Sequence, residues 1–156
     1  MKLKITPGIE EIGGCIYKLT NGNKFVIVKA KNLLSSLYLI EKGYFYFLHG
    51  GRNNKKKGHK EWEGKNSFYY QFYKHLSRNR SNTTDIEVLF ESENALELLK
   101  KEQTLLDEHI KDKNCLNSNV IAYIPKYRES TGSYGWISKE EHQIFFAWYN
   151  STNEKQ

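Results

Sequence analysis

A chain of 156 residues, 38% hydrophobic and 27% charged, carries enough apolar material for one buried core and too much for a disordered polymer. Lys and Arg outnumber Asp and Glu by 24 to 18, and the resulting net charge of +6 favours polyanionic partners such as nucleic acid or an acidic protein face. No apolar run approaches the roughly 20 residues of a membrane span, and no signal-peptide core follows Met1-Lys2-Leu3-Lys4, so the expectation is a cytoplasmic protein with no membrane partner. Cys15 and Cys115 lack a partner at metal-ligand or redox spacing, and both are expected to be reduced and buried.

In chain order, the first legible unit is Cys15 to Thr20 and Lys24 to Lys29, two short β-branched runs joined through Asn21-Gly22-Asn23, which read as a β-hairpin. Leu33 to Leu48 is largely apolar. Its first half suits a helix ending before Gly43, and Tyr44 to Leu48 suits a strand or buried loop. From His49 to Asn66 the composition turns to Gly, Asn, Lys and His, with Arg52, Lys55, Lys56, Lys57 and Lys60 close together, and reads as a mobile basic loop. Phe68, Tyr69, Phe72, Tyr73 and Leu76 then recur at helical spacing, with Lys74, His75, Arg78 and Arg80 forming a basic end. Ile86, Val88 and Phe90 alternate with Glu87, Leu89 and Glu91 at the period of a strand.

Ser92 is the expected cap of the next helix, whose apolar face is Ala95, Leu96, Leu98, Leu99, Leu105, Leu106 and Ile110. A projection at about 100° per residue places Glu102 inside that face. Burying a carboxylate alone costs several kcal/mol, so Glu102 requires a charged or hydrogen-bonding partner, or a metal. Val120 to Ile124 reads as a strand stopped by Pro125, and Tyr134-Gly135-Trp136 as a turn packed on the last helix. Ser138 and Glu141 have capping-box spacing and open that helix, whose Ile144, Phe145, Phe146, Trp148 and Tyr149 are expected to pack. Ser151 to Gln156 is expected to fray.

Gly14-Cys15-Ile16-Tyr17-Lys18-Leu19-Thr20-Asn21, a second strand leading into Lys31-Asn32-Leu33, the helix Phe68 to His75, the strand Ile86 to Phe90, and the helix bearing Lys101-Glu102-Gln103, followed by Cys115-Leu116-Asn117, resemble the GIY-YIG endonucleases in that order. The resemblance spans about residues 12 to 120. It implies an α+β domain over residues 1–124, a small three-stranded antiparallel sheet flanked by helices with a basic insertion at 49–66. A C-terminal extension with one further helix occupies 125–156. It also implies metal-dependent cleavage of DNA, with Mg²⁺ or Mn²⁺ as cofactor. Tyr17 matches the first-strand tyrosine that helps activate water, Glu102 the metal-binding glutamate, and Asn117 a late supporting asparagine.

The chain departs from that pattern where Val26-Ile27-Val28 replaces Tyr-Ile-Gly, where Cys15 replaces a glycine, and at Ser36, near which the family carries an arginine. Losing one such electrostatic stabiliser costs about 100 to 1,000-fold in rate. The expectation is a degenerate GIY-YIG domain that binds DNA, or a protein that meets DNA, without efficient cutting. Phosphate contacts are expected from Arg52, Lys55, Lys56, Lys57, Lys60, Lys74, Arg78 and Arg80. The alternatives are a still-active divergent endonuclease and a protein-binding inhibitor or accessory factor of a virus or mobile element.

Overall fold

A computed structural model describes residues 2–4, 7–49, 68–117 and 121–154. The central hairpin is β2 (Cys15–Asn21) and β3 (Lys24–Ala30), paired antiparallel in full register from Cys15 with Ala30 to Asn21 with Lys24. The turn is the two residues Gly22 and Asn23. Gly22 adopts φ 62°, a conformation that costs a glycine little and an L side chain more. On the other side of β2 lies β4 (Thr83–Glu91), antiparallel, and β1 (Lys2–Lys4) pairs parallel to β4. The order is β1-β4-β2-β3. The expected three antiparallel strands are therefore the core of a four-stranded mixed sheet. Three residues rich in lysine carry too little periodicity to announce a strand, which is why β1 escaped the sequence pattern.

Alternation along these strands sorts the side chains into two layers. Tyr17, Leu19, Val26 and Val28 face α1 (Leu33–His49) and α2 (Phe68–Arg78), joining Leu33, Leu37, Ile40, Tyr44, Phe72 and Leu76 in one buried cluster. Ile16, Phe25 and Ile27 face α3 (Ala95–His109), meeting Leu98 and Leu105. Behind α3, Leu99 and Leu106 pack with Ala122, Ile137 and Phe145, the last from α4 (Lys139–Glu154). The layers thus run α1 and α2, sheet, α3, α4.

Several expectations are corrected. Helix α1 does not stop before Gly43; it continues to His49, and Tyr44 is buried on the same stripe as Leu33, Leu37 and Ile40. Gly43 is an approach residue, because a Cβ there would collide with the Tyr73 hydroxyl, which donates to the Ile40 carbonyl at 3.0 Å. In β4 the alternation breaks at a bulge: Ile16 pairs with Phe90 but Tyr17 pairs with Val88. Ile86 and Val88 consequently pack on the α1 and α2 side, while Leu89 and Phe90 both pack on the α3 side.

The cap of α3 is Asn94, whose side chain accepts from the Glu97 amide at 2.9 Å. Ser92 lies two residues earlier, accepting from the Asn94 amide and donating to the Glu97 carboxylate. Ile110, expected on the apolar face of α3, lies past its end and is 56% exposed. Ile121 to Ile124 forms no strand, and Val120 lies outside the described residues. The capping box is present, with Glu141 accepting from the Ser138 amide and Ser138 Oγ from the Glu141 amide. Helix α4 then runs to Glu154, past the point at which fraying was expected. Both cysteines are free, Cys15 buried and Cys115 half-buried. Among the described residues no helix is long and apolar enough to cross a membrane.

Candidate functional site

Glu102 points into the protein, as its place on α3 requires, and its partner is Lys29. The Lys29 ammonium lies 2.7 Å from Glu102 Oε1, and the two side chains are 5% and 7% exposed. Strand alternation explains the meeting: Phe25, Ile27 and Lys29 share the β3 face that α3 covers. Lys29 also donates to the Tyr123 carbonyl at 2.7 Å and stands 4.9 Å from the centre of the Trp136 ring. Both come from the segment between α3 and α4, which closes the pair from outside. Burial pushes the Glu102 carboxyl upward against the pull of Lys29 and of a hydrogen bond at the Tyr123 backbone. Burial likewise pushes the Lys29 ammonium downward against the pull of Glu102.

Tyr17 is fully buried, and its hydroxyl is bonded to Ser36 Oγ at 2.6 Å. Ser36 stands where the resemblance led one to expect an arginine, and it meets the tyrosine with a short neutral hydroxyl. Desolvation drives the Tyr17 phenol far above its ordinary range, so the neutral form is fixed at any physiological pH. In the β2 and β3 register Tyr17 pairs with Val28, and Ile16 pairs with Lys29. Tyr17 and the Lys29–Glu102 pair are consequently on opposite faces of the sheet. Val26 and Val28 fill the layer around Tyr17.

Asn117 reaches neither residue. Its side chain brackets Ile27, accepting from the Ile27 amide at 2.8 Å and donating to the Ile27 carbonyl at 2.9 Å. With the Phe25 amide donating to the Asn114 carbonyl and the Leu116 amide to the Phe25 carbonyl, residues 114 to 117 cover the outer edge of β3. Asn117 therefore supports the sheet.

These residues do not fit a divalent metal. The carboxylate that would hold one already neutralises a lysine, and no group of three His, Cys, Asp or Glu side chains gathers among the described residues. The hydroxyl that would activate water faces the other layer.

A groove of about 560 Å³ lies between α1, α2 and the end of β3. Among the described residues Lys31, Asn32, Lys42, Gly43, Tyr46 and Tyr69 line it, and no described acidic residue does. Asn32 caps α1 by accepting from the Ser35 amide at 2.9 Å. Sequence reasoning missed this groove because Lys31, Lys42 and Tyr46 belong to no cluster along the chain. The only signal was the helical spacing of Lys42 and Tyr46 once α1 is continuous through Gly43.

Of the expected phosphate contacts, Arg78 and Arg80 are exposed and Lys74 is half-buried. They lie toward the far end of α2, Arg78 about 13 Å along the axis from Tyr69 at about 1.5 Å per residue. Arg80 borders a separate pocket of about 200 Å³ with Asn21 and Thr84. Arg52, Lys55, Lys56, Lys57 and Lys60 lie outside the described residues. No protein-family model, curated protein or solved structure matches the chain.

Proposed function

We propose that the chain is a degenerate GIY-YIG-like domain that binds DNA without cutting it. One observation carries the distinction between binding and cutting: the Lys29 ammonium sits on Glu102, inside the fold and under Tyr123 and Trp136. A hydrolytic site requires a cation that also reaches phosphate and water. A lysine whose donors are directed at a carboxylate, a carbonyl and a ring reaches neither. Binding is supported by the net charge of +6, by the lysine-lined groove, and by exposed Arg78 and Arg80.

The test is a mobility shift with duplex DNA over a salt series, run beside incubation of supercoiled DNA with Mg²⁺ or Mn²⁺. The expected result is binding that weakens steeply with salt and a plasmid that stays supercoiled. Absence of a shift at low salt would remove the DNA-binding reading. Nicking by the wild-type chain that Glu102→Ala abolishes would establish an active endonuclease instead.

A protein partner is the second reading. It is favoured by Leu34, Tyr38, Leu39 and Phe45 on α1, which are between 45% and 64% exposed. A complex that survives nuclease treatment and high salt in a pulldown would select that reading over DNA.

A further inference from the structure

We infer that the pocket bordered by Tyr44, Arg80 and Asn82, where the end of α2 turns into β4, is a phosphate site in which the Arg80 guanidinium and the Tyr44 hydroxyl hold the oxygens of one phosphate group. The inference goes beyond the DNA-binding reading and does not need it, since a DNA backbone and a free phosphate monoester offer the same oxygens to such a site. At about 200 Å³ the pocket is smaller than the roughly 300 Å³ at which sites for drug-sized ligands begin, so it suits a single phosphate and not a whole nucleotide.

Tyr44 is the residue that points to a ligand. It is 6% exposed, it lines the pocket, and its hydroxyl makes no hydrogen bond among the described residues. A buried hydroxyl ordinarily has a partner, because leaving one unpaired and out of water is costly. Burial raises the phenol above its ordinary range against the pull of Arg80, so the group stays protonated, a donor within the field of the guanidinium. An anionic acceptor between the two satisfies the hydroxyl and meets the cation at once. Arg80 pairs with no carboxylate among the described residues. Its planar fork of donors matches two phosphate oxygens, and the apolar side chains of Leu48 and Leu76 on the same pocket strengthen that attraction by lowering the local dielectric.

The frame around these two groups is fixed by bonds within the protein. The Asn82 amide donates to the Asn79 carbonyl at 3.1 Å, closing a tight turn that carries Arg80 at its second position. The Asn79 side chain ties that turn to α2 by donating to the His75 carbonyl at 2.8 Å. Beneath it, buried Asn21 donates from its side chain to Thr84 Oγ1 at 3.0 Å, and its carbonyl lies 2.9 Å from His75 Nε2. Helix α2, β2 and β4 are thereby locked together around the base of the pocket.

The experiment titrates inorganic phosphate into the isotope-labelled full chain at constant ionic strength, with chloride as the control, and follows the amides of residues 79 to 84 and the Arg80 Nε–H by NMR. The expected result is a saturable set of shifts with phosphate that chloride does not produce. Arg80→Gln is expected to abolish them. Tyr44→Phe removes only the hydroxyl and is expected to weaken phosphate binding about 10-fold. Measured without phosphate, the thermal midpoint of Tyr44→Phe is expected to equal or exceed that of wild type, because the hydroxyl has no partner among the described residues to lose. A second arm measures duplex DNA affinity over a salt series for wild type and Arg80→Gln.

A salt slope reduced by about 1 in Arg80→Gln identifies the bound group as a phosphate of the DNA backbone. An unchanged slope beside saturable phosphate shifts assigns the pocket to a free phosphate monoester. Shifts no different from those of chloride, or shifts that survive both substitutions, overturn the inference while the DNA reading stands on its own mobility shift. So does a thermal midpoint that falls in Tyr44→Phe with phosphate affinity unchanged, which gives the hydroxyl a structural role only. Phosphate shifts in a chain that binds no DNA at low salt overturn the DNA reading and leave the site. Arg80 is exposed, so Arg80→Gln keeps the titration decisive even where Tyr44→Phe fails to fold.

Discussion

Lys29 and Glu102 illustrate how a buried charge pair behaves when neither member is free to leave. Desolvation opposes both charged forms, and the 2.7 Å contact, the Tyr123 carbonyl and the Trp136 ring offset that cost only in company. Removing one member alone strands the other. Lys29→Met is therefore expected to destabilise the fold by about 3–5 kcal/mol, whereas Lys29→Met combined with Glu102→Leu replaces the pair with packing and is expected to stay within about 1 kcal/mol of wild type. Urea denaturation of the two single variants and the double completes the cycle; a double variant as unstable as Lys29→Met would show that the pair itself supports the fold. The need of Glu102 for a partner was legible from its place on the apolar face of its helix. The partner's identity was not, because Lys29 lies 73 positions away and meets Glu102 only through strand alternation and the packing of α3 on β3.

At the scale of elements, the exposed side of β3 is kept from pairing by a stretch with no regular structure of its own. The Asn117 side chain supplies an acceptor and a donor to Ile27 in the manner of a neighbouring strand's peptide group. Asn117→Ala leaves both Ile27 backbone groups without those partners and is expected to cost about 1–3 kcal/mol. Amide hydrogen exchange should show the Ile27 N–H losing protection ahead of its neighbours in β2; unchanged exchange would mean that this edge is guarded by something else. The hairpin, α2, α3 and the capping box of α4 were all legible, because periodicity and local capping chemistry lie within a few residues of one another. The continuity of α1 was not. Gly43 reads locally as a helix stop, and only the approach of Tyr73 from another helix gives it a different purpose. The phase break in β4 was hidden for a similar reason: a bulge is defined by its partner strand, and Leu89 looks like an ordinary outward residue until β2 is placed beside it.

Across the whole molecule, the segment after α3 is bound into the rest by apolar and polar contacts alike. Phe145 is fully buried with Leu99, Leu106 and Ile137, while Gln103 on α3, also fully buried, accepts from the Ala122 amide at 2.8 Å. Tyr134 stacks on His142 with ring centres 3.9 Å apart, fixing the preceding turn to α4. Unfolding should therefore be one cooperative event. Phe145→Ala is expected to cost about 3–5 kcal/mol and to lower a single thermal transition in calorimetry. A variant showing two separated transitions would mean that the extension folds apart from the sheet. This third layer was legible only as a helix with apolar positions. Which surface it covers depends on the turn at residues 121 to 137, where Ala122 and Ile137 are buried without any repeating pattern to announce them.

Lys29 has one more consequence. A metal ion is a mobile tenant, present or absent according to its concentration outside and removable by any stronger chelator. The ammonium of Lys29 belongs to the polypeptide, so its supply does not depend on the solution, and its occupancy of Glu102 is decided when the chain folds. Lys29 cannot leave that carboxylate without also giving up its bond to the Tyr123 carbonyl and its place beside the Trp136 ring. The residues of the stretch between α3 and α4 that carry Tyr123 and Trp136 are accordingly coupled to the charge pair in the interior of this domain.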